Sequence, residues 1–437
     1  MKKLITLILT LSLFAYTVFA ETIKTDVLVI GNGASAVTAA IQSSRSKLKT
    51  VLLVKGDWLA DMQGKEMITV AANNKLPSGF WGEFRKHVNH FYKGTPGRDT
   101  THYAPLKFES FAGAGILKKI ADTTKLLTIK INAAYTEVEK DGTGWKITYT
   151  HDGRTDFIKA KTLVDATEQG EVVSAAGATL PPPVAYGANL YRTSIATGDD
   201  LVGQSLGDAK NAYPATPAYY IPMSALVVKD ADNLFITDKA LVANASLPVQ
   251  MAIGQGVGTM AAYCAFFKTT TKYLKVRIIQ GELLDFRGYL LPFDDITPTD
   301  KYFKSIQQIA ATGLLKGAKK LQDGQEQFLF MPDSAVTTDE IKPVLSEIYS
   351  RAFIWFNNTK PADKFTVGNL LSFISEITLT EPKYLRSSMQ RDWKTKYKFK
   401  TDFDIDRPVQ RREFAILANQ FLNPFARTVD LSGRMIN

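Results

Sequence analysis

Apolar and polar positions alternate along the chain in a way that first becomes regular at Thr25–Asp57. Asp26–Ile30 is an apolar run with strand character, Ala34 to about Lys47 has helical spacing, and Thr50–Val54 is a second apolar run. The pattern therefore predicts strand, tight turn, helix, strand, which is half of a doubly wound parallel sheet. From Ala60 to Phe111 regular patterning fades, and a loop-rich excursion is expected there. Ala112–Thr123 is predicted as a helix. Four short strand-like runs follow at Leu126–Ile131, Tyr135–Lys140, Trp145–Thr150 and Thr155–Ala160. Asp141-Gly142 and Asp152-Gly153 punctuate them with hairpin-turn chemistry, so a β-meander is expected. It leads into Thr162–Thr167, a buried strand that ends in a polar turn. After a Lys/Thr-rich break at Lys268–Lys275, the pattern turns mainly helical from Leu291 onward.

The N-terminus changes the picture of where this fold works. Lys2 and Lys3 precede an apolar run from Leu4 to Phe19, and Val18-Phe19-Ala20 offers small residues at a cleavage position. Residues 1–20 are expected to be a secretory signal peptide, so that the protein is periplasmic, cell-surface or secreted, with no transmembrane anchor after cleavage. Four parts follow: signal 1–20, a first domain 21–270, a linker 271–290 and a helical domain 291–437. The net charge of +10 is scattered rather than clustered, and no nucleic-acid motif is present. A basic exported surface suits acidic glycans or anionic envelope polymers. The lone Cys264 excludes an intramolecular disulfide and sits in an apolar helical run.

The turn between the first strand and helix carries Gly31-x-Gly33-x-x-Ala36. Gly31 permits a sharp turn, Gly33 lets a pyrophosphate approach the backbone, and Ala36 is small enough for helix–strand packing. The helix start at Ala34 and Ser35 then offers free N–H groups to the phosphates. At the end of the second strand, where an acidic residue serves ribose hydroxyls, stands Lys55, with Asp57 two positions on. Lys55 reads three ways: a partner for a 2′-phosphate, the mark of a weakened site, or a residue bypassed by Asp57 as acceptor. A strand ending beside the same crevice would bring the stretch Asp165 to Gly170 to the ligand, with Asp165, Ala166, Thr167 and Gly170 as contacts.

The order of glycine turn, excursion, meander and Asp-Ala-Thr turn resembles flavoproteins of the glutathione-reductase type. More closely it resembles the FAD-dependent oxidoreductase family, through the run DATEQGEVVSAAGA at 165–178. Asn233–Ile236, then Met251–Ala262 with Gly254, Gln255, Gly256, Val257 and Gly258, are similar to that family's last FAD-contacting strand and closing helix. Thr237-Asp238-Lys239 stands where such proteins carry Ala-Gly-Arg or Ala-Gly-Lys, which puts Asp238 among the implied cofactor contacts. The resemblance implies a Rossmann-like α/β fold, bound FAD, and hydride transfer from a small or glycan-derived substrate. His87 and His102, in the histidine- and aromatic-rich excursion, are the candidate catalytic acids or bases. His87-x-x-His90 supplies only two ligands, so no metal is expected.

In the last third, Phe330–Ile341 parallels Phe403–Phe414 as a polar turn followed by a capped helix with Glu in its first turn. With Phe293-Asp294-Asp295-Ile296 and Gly313–Gly317 ahead, this resembles about one and a half S-layer homology modules, a family that holds cell-envelope polysaccharide. Arg411 matches that family's arginine, whereas the first copy has Thr338. The alternative to an enzyme is therefore a non-catalytic envelope- or glycan-binding protein on a degenerate flavoprotein scaffold. A nicotinamide enzyme using Lys55 ranks last, because an exported protein meets little of that cofactor.

Overall fold

Val27, Leu28, Val29 and Ile30 become the middle of a parallel sheet in the computed structural model, which describes residues 21–70, 76–96, 105–182, 189–198, 219–237, 245–322 and 325–436. The expected leader at 1–20 lies outside the described residues. Strand β1 (Thr22–Gly31) is flanked by β2 (Thr50–Leu53) and, on its other side, by β8 (Arg154–Ala166). β5 (Leu127–Lys130) extends the sheet beyond β2, and β11 (Leu234–Ile236) extends it beyond β8, all in parallel. The parallel order is thus β5-β2-β1-β8-β11. Such strands are covered on both faces, which is why Val27–Ile30 and Leu52–Val54 are almost fully buried.

The expected pair of runs at Thr155–Ala160 and Thr162–Thr167 is one continuous strand. β8's first half pairs antiparallel with β7 (Gly144–His151), itself paired with β6 (Ala133–Asp141). Three of the four runs of the expected meander thus form it, whereas the first, Leu126–Ile131, is the parallel strand β5. On its other side β8 pairs in parallel with β1 from Phe157 to Ala166, and beyond the end of β7 its second half pairs in parallel with β11. The burial pattern records the change, from partly exposed positions to five consecutive buried ones.

The excursion is more regular than its patterning predicts. β3 (Met67–Val70) pairs antiparallel with β4 (Leu106–Glu109), and between them lies α2 (Gly79–Phe91). Phe80, Trp81, Phe84 and Val88 form one buried stripe of that helix, a helical spacing hidden within a stretch rich in aromatic and histidine residues. His102 lies outside the described residues.

Helix α1 (Ala34–Arg45) and α3 (Ser110–Asp122) cover the sheet, and the short α4 (Glu171–Ala175) follows β8. β9 (Ser194–Gly198) and β10 (Tyr219–Pro222) form a small hairpin sheet. α5 (Leu247–Phe267) packs along α1 and is buried over most of its length. The stretch 271–290, expected as a linker, instead carries α6 (Val276–Asp285). Ile279 and Leu283 of α6 join the first core, and Leu284, Tyr289 and Leu290 join the second. Among the described residues no helix is long and apolar enough to cross a membrane.

The second core is built from α7 (Phe303–Thr312), a hairpin of β12 (Ala318–Gln322) and β13 (Gln325–Leu329), and five further helices. These are α8 (Thr338–Ile348), α9 (Ala352–Thr359), α10 (Val367–Thr378), α11 (Pro382–Thr395) and α12 (Arg411–Phe421). The two expected turn–helix units are joined by a third at Phe365-Thr366-Val367. The three turns close a ring of backbone hydrogen bonds. Val336 N–H donates to Val409 O at 3.0 Å, Val409 N–H to Phe365 O at 2.9 Å, and Phe365 N–H to Val336 O at 3.0 Å. Each turn then starts a helix: Thr337 caps α8, Thr366 caps α10 with Asn369, and Gln410 caps α12 with Glu413. One ring of buried Val, Phe and Val thereby fixes three helix N-termini around a common axis.

Candidate functional site

A crevice of about 350 Å³ opens at the carboxyl ends of β1 and β8, where a doubly wound sheet places its ligand. Gly31, Asn32, Gly33, Lys55, Tyr135, Ala166, Thr167, Glu168 and Glu171 are among its lining residues. Gly31 has to be glycine for packing, because a Cβ there would lie 2.2 Å from the Ala166 carbonyl oxygen. Gly33 is different: the nearest atom to a Cβ at that position is Ser35 Oγ at 3.9 Å, so the space in front of it is open crevice.

Gly33 is also the residue that precedes α1, and no side chain caps that helix start. The first-turn N–H groups of a helix have no partner within the helix, and they carry its partial positive charge. Here the residue just ahead of them, Gly33, lines the recess and leaves it clear of side chain. Asn32 holds the approach, donating from Nδ2 to Asp57 O at 2.8 Å and accepting on Oδ1 from Leu59 N–H at 2.7 Å. Asp57 thus serves through its carbonyl and is absent from the lining. Ala34, Ser35 and Ala36 are buried behind the crevice. Ser35 Oγ lies 3.3 Å from Thr237 Oγ1, and Thr237 N–H donates to Asp165 O at 2.9 Å, so α1, β8 and β11 are tied together below the crevice.

Asp165 sits beneath this floor with no exposed surface. Its Oδ1 accepts from the Thr167 amide and hydroxyl, and its Oδ2 from Val173 N–H. Burial pushes its carboxyl above the usual range, the Thr167 and Val173 hydrogen bonds oppose that shift, and Glu171 adds to it. Asp165 therefore shapes the turn rather than meeting a ligand. Gly170 takes φ +72° just before α4, and a Cβ there would meet Leu180 Cδ2 at 2.3 Å, so it too serves the turn. Glu171 lies at the crevice wall. Its partial burial would raise the carboxyl, but hydrogen bonds involving Thr167 and Gln169 and the charge of Lys55 hold it below its ordinary value. Lys55 and Glu171 thus supply charges of opposite sign to one recess.

Several expected residues stand elsewhere. α5 begins at Leu247, with Ser246 before it and Pro248 in its first turn, so Gly254–Gly258 lie inside the helix rather than at its start. Their amides are helix-interior amides, and their small size serves contact with α1. A Cβ on Gly254 would lie 2.1 Å from Thr38 Oγ1 and 2.3 Å from Ser35 O, and one on Gly258 2.4 Å from Ala39 O. Gly256 faces Ile195, Val257 is buried, and Gln255 bridges Gln42 Oε1 at 3.0 Å and Phe80 N–H at 3.1 Å. None of the five lines the crevice. His87 is on the outer face of α2 with its side chain 48% exposed, 4.0 Å from Glu83, and does not line the crevice either. Asp238 lies outside the described residues. In turn, Asn32, Tyr135 and Glu171 were not singled out by sequence, whereas Glu168 belongs to the stretch Asp165 to Gly170 expected at the crevice. Glu171 was within reach, since it belongs to the DATEQGE run. Tyr135 arrives only through the β6 crossing.

Sheet order, glycine turn, uncapped helix and crevice define a dinucleotide-binding α/β protein. More particularly, the chain belongs to the FAD dependent oxidoreductase family, whose model matches residues 26–188 and 196–283. No curated protein matches it. Among solved structures it is similar to the bacillithiol disulfide reductase Bdr from Staphylococcus aureus, at 19% identity over 40% of this chain and 45% of that one, with a TM-score of 0.25. It is similar also to a flavoprotein/dehydrogenase from Cytophaga hutchinsonii, at 13% identity, 66% and 92% coverage and a TM-score of 0.38. A third is the OxyS anhydrotetracycline hydroxylase from Streptomyces rimosus, at 13% identity, 67% and 68% coverage and a TM-score of 0.35. The chain spans less than half the length of the bacillithiol reductase it matches. The residues at the crevice fit FAD: an open, glycine-fronted, uncapped helix start suits a diphosphate, and Lys55 adds a cation beside it.

Proposed function

We propose that this chain is an exported oxidoreductase that uses FAD to take a hydride from a small or glycan-derived substrate. The observation that carries the reading is the α1 N-terminus, open behind Gly33 onto the crevice. The first-turn amides of α1 bind the diphosphate, and Gly33 lets it reach them. The carboxylates of Glu171 and Glu168 are acceptors on the crevice wall suited to ribose hydroxyls, the task that an acidic residue in the Lys55 position usually performs. Against its partial burial, hydrogen bonds involving Thr167 and Gln169, with a smaller contribution from the charge of Lys55, hold the Glu171 carboxyl below its ordinary value. When bound, FAD supplies a two-electron acceptor for a substrate C–H or C–N bond. Export rests on Lys2, Lys3 and the apolar run Leu4–Phe19.

The C-terminal unit, with its three ring-linked turns, is proposed to hold the protein to cell-envelope polysaccharide. If it does so without redox chemistry, the chain is a binding protein on a flavoprotein scaffold. One absorbance spectrum of purified protein separates the two. Flavin bands near one equivalent support the enzyme; colourless protein that added FAD cannot reconstitute removes it. Retention of the full chain on envelope polysaccharide tests the second unit independently.

A further inference from the structure

The burial of α5 stops abruptly at its C-terminal end. Ala265 is 1% exposed, whereas Phe266 is 61% and Phe267 53% exposed. Tyr273, in the single turn of 3₁₀ helix that follows, is 67% exposed, and Ile278, in the first turns of α6, is 51% exposed. Four large apolar side chains thus reach water within one short bend of chain. The two phenylalanine rings pack edge to face, with centroids 5.0 Å apart, and Phe267 also lies 4.7 Å from the Tyr263 ring. They form an ordered pair at a helix end, and burial of the α5 core does not require them.

Lysines alternate with them along the chain. Lys268, Lys272 and Lys275 are all exposed in the same bend. Asp232 lies 3.3 Å from Lys272, with Lys140 close to both. Clustered exposed apolar side chains mark a surface that is covered in use. Exposed aromatic rings interspersed with exposed lysines match the interface of an anionic bilayer, where rings sit at headgroup depth and ammonium groups meet lipid phosphates. A second copy of this chain fits less well, because a two-fold contact through this bend would bring six like charges of Lys268, Lys272 and Lys275 together.

We propose that the bend Phe266–Ile278 seats the protein on an anionic membrane surface, with Phe266, Phe267 and Tyr273 entering the headgroup layer. The attachment is peripheral, since no described helix can cross a bilayer. It does not depend on the crevice or its cofactor.

The test uses the purified full chain with vesicles of phosphatidylethanolamine and phosphatidylglycerol, and with vesicles of phosphatidylcholine alone. The protein is expected to sediment with the anionic vesicles and to be released by salt. Phe266→Ser with Phe267→Ser should lower its partitioning about tenfold or more, with the far-ultraviolet spectrum and melting temperature retained. Lys268→Glu with Lys275→Glu should abolish the preference for anionic lipid. Wild-type protein that stays in the supernatant with both vesicles overturns the proposal, as does undiminished binding of the phenylalanine variant. A dimer that becomes monomeric on the phenylalanine substitutions overturns it too, assigning the face to a second copy.

Discussion

Asp165 Oδ2 accepts a hydrogen bond from Val173 N–H at 2.8 Å, which ties the end of the central strand β8 to helix α4 across the crevice turn. The other oxygen accepts from Thr167 N–H at 2.9 Å. One buried carboxylate thereby sets the direction in which Thr167, Glu168 and Glu171 leave the sheet.

Asp165→Asn keeps the volume but turns an amide donor toward one of these N–H groups. We expect a loss of about 1–3 kcal/mol, because a buried donor is left without its acceptor. The pH profile gives a second reading. Burial, only partly opposed by hydrogen bonds, raises the folded carboxyl above its ordinary value. Between the ordinary range and the raised one, the folded state holds more protons than the unfolded state, so this group's contribution to stability falls as pH rises through that window. Above the window its contribution is constant. Glu171 is shifted the other way and contributes the opposite slope, but it is present in both proteins. Melting temperatures across the acid range should therefore show a wild-type-minus-variant difference that shrinks with rising pH. A pH-independent difference would show that Asp165 does not titrate there.

Gly31 and Gly33 separate folding from cofactor binding, although they are two positions apart. Gly31→Val drives its Cβ against the Ala166 carbonyl and should cost about 3 kcal/mol or more, read as lost soluble yield or a lowered melting temperature. Gly33→Val brings its Cβ no closer than 3.9 Å to a protein atom but takes up the open space before the α1 start. It should leave the apoprotein's melting temperature within a few degrees and weaken FAD at least tenfold, about 1.4 kcal/mol. Equal flavin content in wild type and Gly33→Val would place the diphosphate elsewhere.

How much of this was legible beforehand depends on how local each signal is. The β1–α1–β2 unit and the β6–β7–β8 hairpins are contiguous in sequence, and their patterns survive folding, whereas the run at Leu126–Ile131 leaves the expected meander to pair in parallel with β2. The α2 stripe Phe80, Trp81, Phe84, Val88 has ordinary helical spacing, but the histidines and aromatics around it drew attention to chemistry instead of periodicity. The third ring turn was missed because Asn369 stands where the other two units have Glu340 and Glu413, so charge patterning did not reveal it. The acidic wall of the crevice comes from β8–α4, facing Lys55 after β2 and Tyr135 from β6; only tertiary structure brings these together. Glycine composition misled at α5, since small residues serve a diphosphate and a close helix contact equally well. The deciding signal was Ser246-Leu247-Pro248, a helix start two turns earlier.

That contact between α1 and α5 makes its own prediction. Gly254→Ala places a methyl group where Thr38 Oγ1 and the Ser35 carbonyl already lie, and Gly258→Ala places one against the Ala39 carbonyl. Backbone oxygens cannot rotate aside, so the helices must separate. Each substitution should cost about 1–3 kcal/mol, although alanine is the better helix former. A direct flavin contact at these glycines predicts instead an unchanged melting temperature with lost colour. Comparing melting temperature with flavin content in each variant decides between the two.

The ring of Val336, Phe365 and Val409 is asymmetric in charge, and this asymmetry tells which unit holds it closed. Glu413 in the third unit is 1% exposed and accepts from Arg407 Nη1 at 2.9 Å, Arg407 Nη2 at 2.8 Å and Gln410 N–H at 3.0 Å. Glu340 in the first unit pairs with Arg411, which belongs to the third and also donates from Nε to Phe330 O at 2.6 Å. The second unit has only the neutral Asn369–Thr366 box. Both ion pairs thus converge on the third unit, one within it and one across to the first. Glu413→Ala removes the carboxylate partner of Arg407, which is 19% exposed and keeps only neutral acceptors, and should cost about 3 kcal/mol. Because the three hydrogen bonds close on one another, that cost should appear at all three donors. Hydrogen exchange at the Val336, Phe365 and Val409 amides should accelerate together, by about a hundredfold. Acceleration at Val336 alone, whose amide donates to the third turn, would mean that each turn opens separately and that the ring is a geometric coincidence rather than a cooperative element.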